Sequence, residues 1–394
     1  MIPFDSTIRT RLVFGPGAVA KVGELARELG SSRVLLVTDP GLVAAGHADR
    51  VTGLLRSAGL EVAVFDRTRE NPTTRCVEEC RTTARDAGTE LLVGLGGGSA
   101  LDTAKGCNFL LTNGGRIQDY WGVGKARLPM LPFIAIPTTA GTGSECQCAA
   151  LIADENTHQK MACLDPKAAA RVAILDPELT LSQPSLVTAH TGIDALTHAV
   201  ETAVTRRRNA LSLTYAYRAF QLLVPALPRV LEAPDDLEAR GQMLLGAALA
   251  GLAIENSMLG AAHSAANPLT AAYDMVHGEA VGLMLPAVIQ FNAVDPDVRR
   301  AYAELASVPE IACLSDGLDN AVAALVGRIE YLLNCAGLPR SLTDRGVTED
   351  ALEPLAAQAA GQWTAQFNPR VTAPADFVAL YRAAMEPRGA GDPG

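Results

Sequence analysis

The side chains best equipped for chemistry lie in the second half of the chain. In the stretch Thr191–Glu201, "TGIDALTHAVE", Asp194 and His198 stand four residues apart, so on a helix both leave the same face one turn apart. Their neighbours Ala195, Leu196, Ala199 and Val200 read as core. A carboxylate and an imidazole in step on an apolar helix are either a buried polar pair satisfying each other or two ligands of a metal whose other ligands lie elsewhere. Downstream, "HSAANPLTAAYDMVHG" carries His263 and His277, with Pro268 and Gly278 as the punctuation that lets a helix end and the chain return. Three imidazoles and one carboxylate would suit Fe(II) or Zn(II), whereas calcium or magnesium sites are built from oxygens.

A second set of candidates lies in the first half. In "LLVGLGGGSALDTAKG" an apolar strand runs into Gly96, Gly97 and Gly98, and Ser99 opens a helix. Glycines there let backbone N–H groups approach a phosphate, and the helix N-terminus adds partial positive charge. Ser99 and Asp102 have capping-box spacing. The loop fits neither GxGxxG nor GxxxxGK[ST], and a tight strand-to-helix turn is the plain alternative. A second loop, "IPTTAGTGSE", offers Thr138, Thr139, Thr142 and Ser144 after another apolar strand. Two such loops after strands of one sheet would line the crevice where open α/β sheets bind nucleotides, and Asp39 after "VLLVT" is placed to take a ribose diol, favouring NAD over NADP.

These residues need elements to hold them. From Arg33 to about Asp176, "RVLLVTD", "EVAVFD", "ELLVGLGGG", "PFIAIPTT" and "RVAILDP" read as strands, with amphipathic helices such as "DRVTGLLRSAG" and "CVEECRTTARDAG" between them. That alternation means a parallel sheet covered on both faces. From Pro184 onward the strand signals stop and Ala- and Leu-rich helical spacing takes over. The expected architecture is an α/β dinucleotide-binding domain with a parallel sheet over residues 1–182, then an all-helical metal and substrate domain over 183–394. The tail "EPRGAGDPG" has no core-forming residues and is expected to fray.

Composition narrows the partners. A formal net charge of -10 argues against a nucleic-acid or anionic-membrane surface, and the basic cluster Arg206–Arg208 is short and reads as a solvated helix end. The sequence shows neither a long apolar span nor a signal-peptide pattern, so a cytoplasmic protein is the expectation. The eight cysteines form no paired CxxC knuckles and read as free buried thiols, with Cys146 and Cys148 alternating inside a strand.

Taken together, "GGGSALDTAKG", "PTTAGTGSE", "GIDALTHAVE" and "HSAANPLTAAYDMVHGEAVGLMLP" resemble the iron-dependent, or group III, alcohol dehydrogenases, from Phe14 to the "FNPR" ending at Arg370. The resemblance implies an NAD(P)-binding first domain and a divalent metal held by Asp194, His198, His263 and His277. It also implies nucleotide contacts from Asp39, Asn71, Gly97, Gly98, Ser99, Asp102, Thr138, Thr139 and Lys160, a small alcohol or aldehyde substrate, and a homodimer. One departure stands out. Many members carry a further histidine four residues after the third ligand, near the nicotinamide, where this chain has Asn267. Asparagine can hydrogen-bond a substrate but cannot exchange a proton near neutral pH, so Asn267 and the ligand His277 are the candidates for a direct part in the chemistry. The variant "IENSMLGAAHSAANP" resembles a branch that includes reductases of small phosphonate aldehydes or keto acids. The rival reading is a dehydroquinate-synthase-like cyclase, which would crowd Lys and Arg around the metal; near His263 and His277 the sequence has Ala, Leu and Met instead.

Overall fold

The computed structural model describes residues 3–157, 159–309 and 311–386; the tail beyond 386, expected to fray, lies outside them. Two compact units emerge, residues 7–183 in one and residues 184–394 together with 1–6 in the other. The first unit contains strands β1 (Arg11–Phe14), β2 (Arg33–Val37), β3 (Glu61–Phe65), β4 (Leu91–Gly96), β5 (Gly122–Val123), β6 (Phe133–Pro137), β7 (Ala149–Ala153), β8 (Lys160–Leu164) and β9 (Val172–Leu175). Its helices are α1 (Val22–Glu28), α2 (Pro40–Ala44), α3 (His47–Ser57), α4 (Thr74–Asp86) and α5 (Gly98–Asn113).

Six strands form one sheet in the order β1-β9-β6-β4-β2-β3, every pairing parallel. The continuous apolar runs follow from burial on both faces: every residue of β4, β6 and β9 is buried. Strand periodicity sends Val34 and Leu36 into the layer with Leu25, Val51 and Leu55, and Leu35 and Val37 into the opposite layer with Phe65, Leu92 and Leu101. The chain leaves β2 to build β3 on one side and β4 on the other, so the topological switch lies between β2 and β4. At such a point the crossovers diverge and leave a crevice at the strands' carboxyl ends.

Strands β1, β5 and β8 escape the sequence reading, and β7 lies further along than the cysteine strand it expects. β1 is an edge strand, and β5, β8 and β7 form a small separate sheet in which β7 and β8 run antiparallel. Cys146 belongs to a 3-10 turn (Ser144–Cys146), and the strand begins only at Ala149, so the two cysteines do not alternate within it. Among the described residues no disulfide joins the cysteines; Cys80, Cys107, Cys146, Cys148 and Cys163 are buried, while Cys313 and Cys335 are exposed.

The second unit is helical, with α6 (Ser185–Thr202), α7 (Ala210–Glu232), α8 (Leu237–Asn256), α9 (Ala261–Tyr273), α10 (His277–Asn292), α11 (Pro296–Ala306), α12 (Leu318–Cys335), α13 (Leu352–Ala360) and α14 (Pro374–Met385). Helix α8 is long and apolar enough to cross a membrane, yet 67% of its apolar window is buried inside the unit; a core helix with apolar residues all round behaves this way. Helix α6 is buried from Gly192 to Thr202. Pro268 does not end a helix as its sequence position suggests; α9 runs through it and stops at Asp274, which takes a left-handed conformation with φ 51°. Buried neighbours Ala265, Ala266 and Leu269 hold the turn around the proline, a case of packing overriding local propensity. Gly278 likewise is not punctuation: it lies inside α10, where a Cβ would stand 2.0 Å from the carbonyl oxygen of His190 on α6. Glycine is what lets the two helices meet.

Candidate metal centre and nucleotide cradle

The helical spacing read from the sequence puts Asp194 and His198 on one face of α6, and the close approach of α10 brings His277, its first residue, to the same place. His263 arrives from the first turn of α9. Three imidazoles then converge on one carboxylate oxygen: Asp194 Oδ1 lies 3.3 Å from His198 Nε2, 3.5 Å from His263 Nε2 and 3.7 Å from His277 Nε2. The rings of His198 and His263 stack with centroids 4.8 Å apart, and His277 is tilted against His263 at 5.3 Å. Ligand atoms of Asp194, His263 and His277 all lie within 4.8 Å of one another.

The fit to a metal can be tested on this geometry. With bonds of about 2.0–2.1 Å, two ligands of a tetrahedral ion sit about 3.4 Å apart, and the three separations bracket that value. Among the described residues, Asp194 Oδ1 and His263 Nε2 are both buried without a hydrogen-bond partner, an arrangement that is costly unless something else satisfies them. Burial by itself would raise the Asp194 carboxyl, but the imidazole of His198, helped by His263 and His277, pulls it well below the usual carboxylate range. For His263 burial pulls down while Glu201 and Asp194 push up, and the ring ends at about 9. A carboxyl held low beside a ring held high favours positive charge at this place, which a divalent ion would supply. Asp194, His198 and His263 are buried, whereas the His277 side chain is 32% exposed, so the cluster opens to solvent on the His277 side.

Asn267 lies one turn after His263 on α9 and donates from Nδ2 to Gln362 Oε1 at 3.0 Å. Glu201, the last residue of the stretch that opened the sequence reading, was not among its candidates. It sits three residues after His198, is 2% exposed, and meets His263 Nδ1 at 2.7 Å. Its position seven residues after Asp194 continues the i, i+4 series on the same helical face, which is the signal that could have found it. Two residues past His277, the fully buried Glu279 is engaged by the Arg345 guanidinium.

In the first unit the switch between β2 and β4 collects the nucleotide candidates. Gly96 ends β4 with φ +148°, and a Cβ there would stand 2.7 Å from Ala100 Cβ and 3.3 Å from Asp39 Oδ2; only glycine lets this turn form beside Asp39. Asp39 also caps α2, its Oδ1 accepting from Leu42 N at 3.1 Å. The capping box expected of Ser99 and Asp102 is absent. Helix α5 starts at Gly98 with Gly97 as its N-cap and no side-chain cap bond, which leaves its first turn for an anion. Asp102 instead turns inward, accepting from Ser144 Oγ at 2.7 Å and Leu151 N at 3.1 Å. Lys105, 1% exposed, donates to Ser144 O, Ser144 Oγ and Ala149 O at 2.6, 2.8 and 2.8 Å. Sequence reasoning passed over Lys105 because a lysine in a helix usually faces water.

This network ties the glycine helix to the second loop. A Cβ on Gly98 would meet Thr142 at 2.8 Å and one on Gly97 would meet Thr139 at 3.3 Å, while Thr138 N donates to Gly96 O at 3.1 Å. Asn71, held at φ 50°, and Lys160 also come together, Nζ lying 3.5 Å from Asn71 Oδ1.

A parallel sheet with its switch-point cradle and a helical unit with a three-histidine, one-aspartate cage define a class of nucleotide- and metal-binding enzymes. Residues 9–177 match the iron-containing alcohol dehydrogenase family, and residues 188–385 match the C-terminal part of the Fe-containing alcohol dehydrogenase family. The chain belongs to this family and is an oxidoreductase. It is 36% identical over 377 residues to the NAD-dependent methanol dehydrogenase of Bacillus methanolicus, spanning 95% of this chain and 97% of that one. Among solved structures, a 1,3-propanediol oxidoreductase superposes with TM-score 0.93 at 33% identity, covering 98% and 100% of the two chains. The sulfoacetaldehyde reductase of Bifidobacterium kashiwanohense in complex with NAD+ superposes with TM-score 0.86 at 28% identity, covering 98% and 99%.

Proposed function

We propose that the chain is a metal-dependent NAD(H) oxidoreductase interconverting a small alcohol and its aldehyde or ketone, working chiefly as a reductase. The observation that carries this reading is the convergence of three imidazole nitrogens on Asp194 Oδ1, a buried oxygen without a hydrogen-bond partner among the described residues. Asp194, His198, His263 and His277 would hold Fe(II) or Zn(II), whose ligand preferences overlap. When bound, the ion supplies Lewis-acid polarisation of the substrate oxygen, and the nicotinamide supplies or accepts the hydride. The protein's part is to bind and orient. The first turn of α5 and the hydroxyls of Thr138 and Thr139 would hold the pyrophosphate, Asp39 the ribose diol, and Asn71 with Lys160 a further part of the nucleotide. Asp102 supports these groups from behind, its oxygens being taken by Ser144 and Leu151. Substrate reaches the cage on the exposed His277 side. Asn267, with Nδ2 committed to Gln362, would offer its carbonyl as an acceptor and cannot act as an acid or base near neutral pH; the proton then comes from water or a cofactor hydroxyl.

Within that reading, a small phosphonate aldehyde or keto acid is the finer substrate class. It is supported by the "IENSMLGAAHSAANP" variant and by likeness to a sulfoacetaldehyde reductase, since a sulfonate and a phosphonate are both tetrahedral anions. A cytoplasmic homodimer completes the proposal, with the dimer testable by sedimentation. The competing cyclase would leave NADH unchanged over a cycle, and the dehydrogenase and reductase relatives weigh against it.

The test is NADH oxidation by the purified protein against small aldehydes and phosphonoaldehydes, with chelator and with Fe(II) or Zn(II) restored. Metal-dependent, stoichiometric NADH loss is expected, and Asp194→Ala should lose bound metal and turnover together. Full turnover by a metal-free Asp194→Ala protein would overturn the proposal.

A further inference from the structure

We propose that Glu201 is a positioning residue for the metal: it holds the Nδ1–H tautomer of His263 and so aims the Nε2 lone pair at the ion. The inference rests on the metal-dependent reading above and concerns a residue outside the four ligands. Three groups contact the Glu201 carboxylate. Gly260 N donates to Oε2 at 3.0 Å, Ala262 N donates to Oε1 at 2.7 Å, and His263 Nδ1 lies 2.7 Å from Oε2. The first two are backbone N–H groups and can only donate, so both oxygens act as acceptors. An acceptor-only carboxylate requires the proton of the third contact to sit on Nδ1. A neutral imidazole with its proton on Nδ1 has its lone pair on Nε2, the atom 3.5 Å from Asp194 Oδ1 and without a hydrogen-bond partner among the described residues. A carboxylate behind a ligating histidine is a general device for orienting the ring and raising its basicity.

The carboxylate is itself firmly seated. A Cβ on Gly260 would lie 3.2 Å from Glu201 Oε1 and 3.0 Å from Asn368 Oδ1, and Asn368 Oδ1 accepts from Ala261 N at 3.2 Å. The amides opening α9 are therefore shared between Glu201 and Asn368. This also means that Glu201 caps a helix start, and a test must separate the cap from the tautomer.

Glu201→Gln does so because it keeps the shape and offers one acceptor and one donor in place of two acceptors. With its NH₂ toward Ala262 N, two donors face each other. With its NH₂ in the Oε2 position, His263 can keep that contact only by moving its proton to Nε2, where it blocks ligation. Zn(II) affinity, measured by competition with a chromophoric chelator, should fall about 10–100-fold in Glu201→Gln. In ¹⁵N-histidine-labelled metal-free wild type, held at a pH above the value of about 9 at which the ring becomes neutral, the His263 resonances, assigned with His263→Gln, should report the Nδ1–H form. Zn(II) affinity within twofold of wild type in folded Glu201→Gln would overturn the proposal and leave Glu201 a helix cap. So would an Nε2–H tautomer of His263 in wild type, a readout that does not depend on how any Glu201 variant folds. Failure of wild type itself to bind Zn(II) or Fe(II) would instead overturn the metal reading, and this inference with it.

Discussion

Gly278→Ala is the sharpest probe of how the cage is assembled. A Cβ at this position would meet three backbone atoms of His190: the carbonyl oxygen at 2.0 Å, the carbonyl carbon at 2.6 Å and Cα at 3.0 Å. No side chain can swing away to relieve the clash, so α10 must retreat from α6 by about 1 Å before the methyl reaches even a tight contact. His277 precedes the substituted residue, and its Nε2 is already 3.7 Å from Asp194 Oδ1 on α6. Carried through to the imidazole, the retreat opens that edge to about 4.7 Å, well beyond the roughly 3.4 Å that a tetrahedral ion spans. His277 should drop out as a ligand, with metal affinity falling at least tenfold, or about 1.4 kcal/mol. Overpacking adds about 1–3 kcal/mol of lost stability, a fall of about 2–12 °C in the melting temperature of a unit this size. Thermal melts with and without Zn(II), together with a chelator competition, measure both effects. A variant that melts with wild type and binds Zn(II) equally well would refute the claim that the α6–α10 approach sets the ligand geometry.

Two further predictions concern the first unit. Asp39→Asn keeps a residue able to cap α2 but removes the charge beside Gly96, so the ratio of kcat/KM for NADPH over NADH should rise at least about tenfold, a like-charge contact costing several kcal/mol; an unchanged ratio would take Asp39 out of coenzyme discrimination. Burial pushes the Glu145 carboxyl up from 4.5 to about 7, against the pull of Lys105. Between those values the folded protein keeps the proton that the unfolded chain releases, so this group's stabilising contribution is present below pH 4.5, declines as pH rises to about 7, and is flat above. Denaturation over a pH series should show Glu145→Gln gaining on wild type across that window; parallel curves would contradict the assignment.

The sheet was legible because the strands buried on both faces, β2, β4, β6 and β9, are continuous apolar runs, and they and the edge strand β3 fall within the five segments so identified. Strand β8 was not, being five residues of mixed and partial burial with nothing to separate it from a loop, and β7 begins three residues after the Cys146 at which a strand is read. Asp194 and His198 were legible because one helix carries both, and spacing alone puts them in step. His263 and His277 lie on different helices, and their meeting depends on where α9 stops and how tightly α10 docks. Those events are set by the left-handed Asp274 and by the missing side chain of Gly278, neither of which a proline-and-glycine punctuation rule weighs correctly. Ser99 illustrates the reverse error: its spacing to Asp102 is that of a capping box, but the partner that wins Asp102 is Ser144, a residue 42 positions along the chain.

That long-range choice bears on how the protein is made. Asp102 and Lys105 leave the ribosome well before Ser144, Ala149 and Leu151, the residues that saturate them. Until those arrive, the nascent helix carries an ammonium and a carboxylate whose only shelter is water, and the glycine turn at its start has no second loop to lean on. Because synthesis proceeds from the N-terminus, the bonds that saturate Asp102 and Lys105 can form only after the segment through residue 151 has emerged.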